Sequence, residues 1–127
     1  MRRNNMASAT ILIIEDDTAK ITHYKKFFSQ AGINVTTASK DDDVLKKASD
    51  VRPTLVIIDV ILPKTNGLSI MRKLHAQTET KGIPVIMLTA VDQKTQGQAF
   101  EDSIQKLVQI TQGILDGHAS RKAAIQK

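Results

Sequence analysis

Three short apolar runs, each stopped by a polar group, constrain this chain more than any other feature. Ile11-Leu12-Ile13-Ile14 runs into Glu15-Asp16-Asp17, Leu55-Val56-Ile57-Ile58 into Asp59, and Val85-Ile86-Met87-Leu88 into Thr89-Ala90. Runs of this length, rich in β-branched residues, read as parallel strands buried on both faces. In an open α/β sheet, ligands bind outside the carboxyl ends of the strands. The three strand ends therefore bring Glu15, Asp16, Asp59 and Thr89 to one spot. Carboxylates grouped with one hydroxyl suit a hard cation and a phosphoryl group.

Helical patterns fill the gaps between these runs. Asp17 or Thr18 can cap a helix carrying Ile21, Tyr24, Phe27 and Phe28 at helical spacing, and Gly32 suits its stop. Residues 33–38 read as a less apolar strand near the sheet edge. Ser39 is expected to cap a helix through Val44, Leu45 and Ala48, and Pro53 marks the entry to the central strand. Residues 62–67 form a turn-rich loop before a helix with Leu68, Met71, Arg72 and Leu74. Gly82 and Pro84 bracket the entry to the fourth strand. Strand and helix alternate, which implies a parallel sheet with helices on both faces, in the order 2-1-3-4. The fold class is thus α/β and flavodoxin-like, with the switch point between the Glu15 and Asp59 strands.

The 127 residues suffice for one domain with a real core. With 41% hydrophobic and 24% charged residues, disorder is not the default. The chain has no cysteine, which removes disulfides and thiolate metal sites. No apolar stretch approaches the roughly 20 residues of a membrane helix, so a cytoplasmic location is expected. The net charge of +5 favours acidic partners in general. The cations are scattered, however, and aromatic residues make up only 3%, which argues against nucleic-acid binding through base stacking.

The segments ILIIEDD (11–17), PTLVIIDVILPKTNGL (53–68) and IPVIMLTA (83–90) resemble the response-regulator receiver domain, in register over roughly the first 90 residues. The resemblance implies roles for particular residues. Asp59 is the phospho-acceptor. Glu15, Asp16 and the backbone carbonyl of Ile61 join Asp59 in holding Mg2+. Thr89 hydrogen-bonds the phosphoryl group, Ala90 leaves it room, and Pro63 and Gly67 shape the loop after Asp59. The chemistry is coherent on its own terms. A carboxylate nucleophile facing an anionic phosphoryl group needs its charge cancelled, and Mg2+ binds through one or two carboxylates, phosphate oxygen and water. The partner implied is a histidine kinase or phosphotransfer protein. The chain would be a stand-alone signalling receiver with output by protein contact, not an enzyme in the usual sense. The alternative is a phosphorylation-independent adaptor or dimerisation module.

The resemblance breaks after Ala90. The family continues with a helix, a fifth strand, a Lys-Pro pair and a last helix, but residues 91–127 hold no strand-like run and no proline. One reading is a single helix over about 92–112, with Phe100, Ile104, Leu107, Val108, Thr111 and Leu115 on one face and Gly97 as a weak point. The other is that a helix and strand are missing and the region from Ala99 to Leu115 resembles the family's last helix. The chain then divides into a receiver core over 1–90 and a divergent helical region over 91–127 of the same domain. The fourth strand becomes a sheet edge, and the apolar stripe, too long for the reduced sheet, is expected to form a homodimer through the C-terminal helix. Lys106 or Lys64 is a stand-in for the missing Lys.

Other polar residues have plainer readings. Asp17 and the Asp41-Asp42-Asp43 run suit helix N-termini by charge. His23, His75 and His118 lack metal-ligand spacing.

Overall fold

The computed structural model describes residues 9–59, 67–88 and 97–124, apart from the side chains of 59, 97–100 and 118–124. The elements are β1 (Thr10–Ile14), α1 (Thr18–Gln30), β2 (Asn34–Ala38), α2 (Asp41–Val51), β3 (Leu55–Asp59), α3 (Gly67–Ala76), β4 (Val85–Leu88) and α4 (Gly97–Ala124). The strands form one parallel sheet in the order β2-β1-β3-β4, as the sequence predicts.

Right-handed crossovers decide which helix covers which face. The step from β1 to β2 runs one way across the sheet, and the steps from β2 to β3 and β3 to β4 run the other. So α1 lies on one face, and α2 and α3 lie on the opposite face. Side chains alternate accordingly along each strand. Ile11, Ile13, Leu55 and Ile57 pack against Tyr24, Phe27 and Phe28 of α1. Leu12, Ile14, Val56 and Ile58 pack against Val44 and Ala48 of α2 and Ile70 and Leu74 of α3. Every one of these β1 and β3 residues is buried.

One helix cannot cover a face four strands wide, and α4 completes the cover beside α1. Ile104, Leu107 and Val108 are buried in the α1 core, with Ile114 and Leu115 packed against its edge. Thr111 is fully buried on the same side. The buried part of the stripe, from Ile104 to Thr111, is therefore taken up by the chain's own sheet. The reason is geometric: the α1 face needs a second helix. The helix also runs past the expected end at 112, as far as Ala124, while residues 92–96 of the expectation lie outside the described residues. It continues through Gly113 and Gly117, where an added Cβ would meet open space.

Three details set the ends of the elements. Gly32 adopts φ +79°, and a Schellman turn closes α1: the amide of Gly32 donates to Ser29 O at 2.9 Å and that of Ile33 to Phe28 O at 2.9 Å. Ile33 thus belongs to the helix stop, and β2 begins one residue later than the sequence suggests. The N-cap of α2 is Lys40 rather than Ser39, with no side-chain capping bond. At the far end of α3, the fully buried Thr80 hydroxyl donates to Leu74 O at 2.6 Å and takes a bond from the Gln77 side-chain amide at 3.1 Å.

Candidate functional site

The strand ends meet as the topology requires. β1 and β3 pair in register up to Ile14 and Ile58, so Glu15 and Asp59 are the next residues of two neighbouring strands. Asp59 in turn pairs with Leu88, the residue before Thr89. Asp59 is described through its backbone. Its side chain lies outside the described residues, as do Ile61, Pro63, Lys64, Thr89 and Ala90.

Glu15 and Asp16 follow β1 directly and divide between interior and solvent. The amide of Glu15 donates to Ala38 O at 3.0 Å, continuing the β1–β2 ladder past the strand. Its side chain is 3% exposed, and Oε2 accepts from the amide of Asp17 at 3.2 Å. A carboxylate taken out of water needs compensating donors or a cation. Asp16 is exposed. Asp17 has a separate task as the N-cap of α1, its Oδ1 accepting from the amides of Ala19 at 2.9 Å and Lys20 at 3.2 Å. The Asp17 amide is the contributor that a side-chain reading misses, because a backbone donor has no residue-type signature.

The donor set fits a hard divalent cation: two successive carboxylates, one buried and one open to solvent, beside the strand that ends in Asp59. Among the described residues, no group of three or more His, Cys, Asp and Glu is gathered to hold a metal ion. His23 is half-buried on α1 and His75 exposed on α3, remote in role from the strand ends. Lys106 is exposed on α4, on the side opposite the buried Ile104, Leu107 and Thr111. Lys106 thus points away from the sheet, unlike a cation serving its carboxyl end.

The response regulator receiver domain family matches residues 11–109, well over half of the chain. The chain belongs to that family. The match runs past Ala90 into α4, so the family likeness extends beyond the first 90 residues. Among relatives of this receiver, it is 34% identical over 84 residues to the alkaline phosphatase synthesis transcriptional regulatory protein PhoP of Bacillus subtilis, covering 66% of this chain and 34% of that protein. It is 32% identical to the protein PilH of Pseudomonas aeruginosa over 68% of this chain and 72% of that one. The receiver thus spans about a third of the first of these relatives and most of the second. Its fold matches the receiver domain of the sensor histidine kinase PA1611 from Pseudomonas aeruginosa, solved with a magnesium ion coordinated in its active site cleft. The TM-score is 0.64 at 22% identity, covering 80% of this chain and 95% of that one. Among the described residues, no helix of this receiver is long and apolar enough to cross a membrane.

Proposed function

We propose that this receiver accepts a phosphoryl group on Asp59 from a histidine kinase or phosphotransfer protein in the cytoplasm and passes the signal on by protein contact. The observation that carries the reading is the register: Asp59 ends the strand beside Glu15-Asp16 and opposite the strand that leads to Thr89. Family membership supports it independently.

In this reading a carboxylate oxygen of Asp59 bonds to phosphorus as the P–N bond of a phosphohistidine breaks. The imidazole leaves with the electron pair and takes up a proton. The product is an acyl phosphate, which water later cleaves. Glu15, Asp16, Asp59 and the carbonyl of Ile61 are the residues that would hold Mg2+. When bound, the ion supplies charge neutralisation between the carboxylate and the incoming phosphoryl group. Glu15, fixed by the Asp17 amide, contributes a positioned charge that needs no reorganisation. Thr89 donates its hydroxyl to a phosphoryl oxygen, and Ala90 keeps the space beside it open.

A second reading, a phosphorylation-independent adaptor, is favoured by one observation: Lys106, a stand-in for the family's Lys, faces solvent away from the sheet. One experiment separates the two. Wild type and Asp59→Asn are incubated with acetyl phosphate and Mg2+, and intact mass is read with and without EDTA. The expected result is one phosphoryl adduct on wild type alone, lost with EDTA. A folded wild type that gains no adduct supports the adaptor.

A further inference from the structure

The two edges of the sheet are built differently. On β2, Ala38 O and the Asn34 amide face β1, so Thr37 O faces outward. The Lys47 ammonium donates to it at 2.8 Å. The strand itself is Asn-Val-Thr-Thr-Ala, and a polar edge closed by a lysine resists further pairing.

Among the described residues, the β4 edge has none of these protections. Its residues Val85, Ile86, Met87 and Leu88 carry no charge and are half-buried, whereas those of β3 from Leu55 to Ile58 are fully buried. Ile86 and Leu88 join the α1/α4 core, and Val85 and Met87 join the α2/α3 core, so the strand is apolar on both faces. The Val56 amide donates to Pro84 O at 3.0 Å. Successive residues of a strand direct their backbone groups to opposite sides, so Ile86 pairs with β3 and the amides and carbonyls of Val85 and Met87 face the open edge. Among the described residues no strand follows β4, and the next element is α4.

We propose that β4 is the seam of a homodimer, joined antiparallel to β4 of a second copy about a two-fold axis at Ile86. A two-fold axis perpendicular to the sheet keeps each face on its own side, so facing residues must share a face. With the axis at Ile86, Val85 opposes the second copy's Met87, and both lie on the α2/α3 side. The same residues carry the outward backbone groups, so the register forms two hydrogen-bonded pairs flanking a non-hydrogen-bonded Ile86–Ile86 pair. A second copy is the fitting occupant because β4 is apolar on both faces. A lone peptide strand would leave its outer side chains bare, while a second copy brings helices on both faces and continues both cores across the seam.

The register is testable because the chain has no cysteine. Non-hydrogen-bonded antiparallel pairs hold Cα atoms about 4.5 Å apart, within the ~4.4–6.8 Å range of disulfides. Light scattering of the wild type from micromolar to near-millimolar concentration is run beside mild oxidation of Ile86→Cys, Val85→Cys and Ile110→Cys. Circular dichroism checks the fold of each variant. The expected result is a mass that doubles with concentration and a covalent dimer from Ile86→Cys in large excess over Val85→Cys and Ile110→Cys. A wild type that stays monomeric throughout overturns the proposal without any variant. So does a dimer that cross-links no better through Ile86→Cys than through Val85→Cys, or one that cross-links through Ile110→Cys and so lies on α4.

Discussion

Among the described residues, two hold left-handed backbone conformations, and they carry opposite kinds of side chain. Gly32 sits at φ +79° in the stop of α1, with nothing within 4 Å of an added Cβ. The cost of Gly32→Ala is therefore backbone strain alone, about 1 kcal/mol. Arg52, the C-cap of α2, sits at φ 52° and ψ 62° without the freedom of glycine. Arg52→Gly relieves that strain and should stabilise the protein by roughly 0.5–1 kcal/mol. Urea midpoints move in opposite directions for the two variants, and a shared direction would contradict the conformational account. Asp17 carries a different weight at this scale. Its side chain caps α1 while its amide holds Glu15, so Asp17→Ala should cost about 1 kcal/mol of stability through the cap. The Glu15 contact, which is made by the backbone, should survive. Unaltered phosphoryl uptake by a folded Asp17→Ala protein is the expected readout.

At the scale of elements, α4 separates a buried side from an open one. Ile104 is 2% exposed and Ile110 is 50% exposed, six residues apart on one helix. Ile104→Ala should cost about 2–4 kcal/mol, and Ile110→Ala less than about 0.5 kcal/mol, as denaturant unfolding would measure. Equal costs would place the helix in a different rotation. The strands β1, β3 and β4 were legible because an uninterrupted apolar run has few other uses in a chain this short. Their polar stops placed Glu15 and Asp59 at neighbouring strand ends, which the register of β1 and β3 reproduces. Ile33 read as a strand residue because it is apolar and precedes an alternating run, yet its amide closes α1. Ser39 read as a cap from its side chain, while Lys40 takes the position by its extended backbone. The end of α4 was hidden by Gly113 and Gly117. Glycine lowers helix propensity, but packing of Ile114 and Leu115 against the α1 core outweighs it. The destination of the stripe depended on counting faces: only with α2 and α3 on one side does the need for a second helix beside α1 emerge.

Across the whole molecule, the two cores draw on different stretches of chain. The α2/α3 core uses residues from Leu12 to Met87, while the α1/α4 core joins Ile11 to Leu115. An ion pair between Lys73 and Asp41 at 2.9 Å ties α2 to α3, although with both side chains partly exposed it adds at most about 1 kcal/mol. Among the described elements, the most C-terminal helix thus shares a core with β1, the most N-terminal strand. Contacts between distant parts of a chain close late, because the intervening loop must first lose its freedom. Docking of α4 should follow the folding barrier, so Ile104→Ala should speed unfolding far more than it slows refolding in stopped-flow chevrons. On the ribosome, the nascent chain carries a finished α2/α3 side and a half-covered α1 side until α4 emerges. For that interval the sheet is wettable on one face only, and a passing chaperone or a neighbouring nascent chain meets an apolar surface that the mature protein never shows.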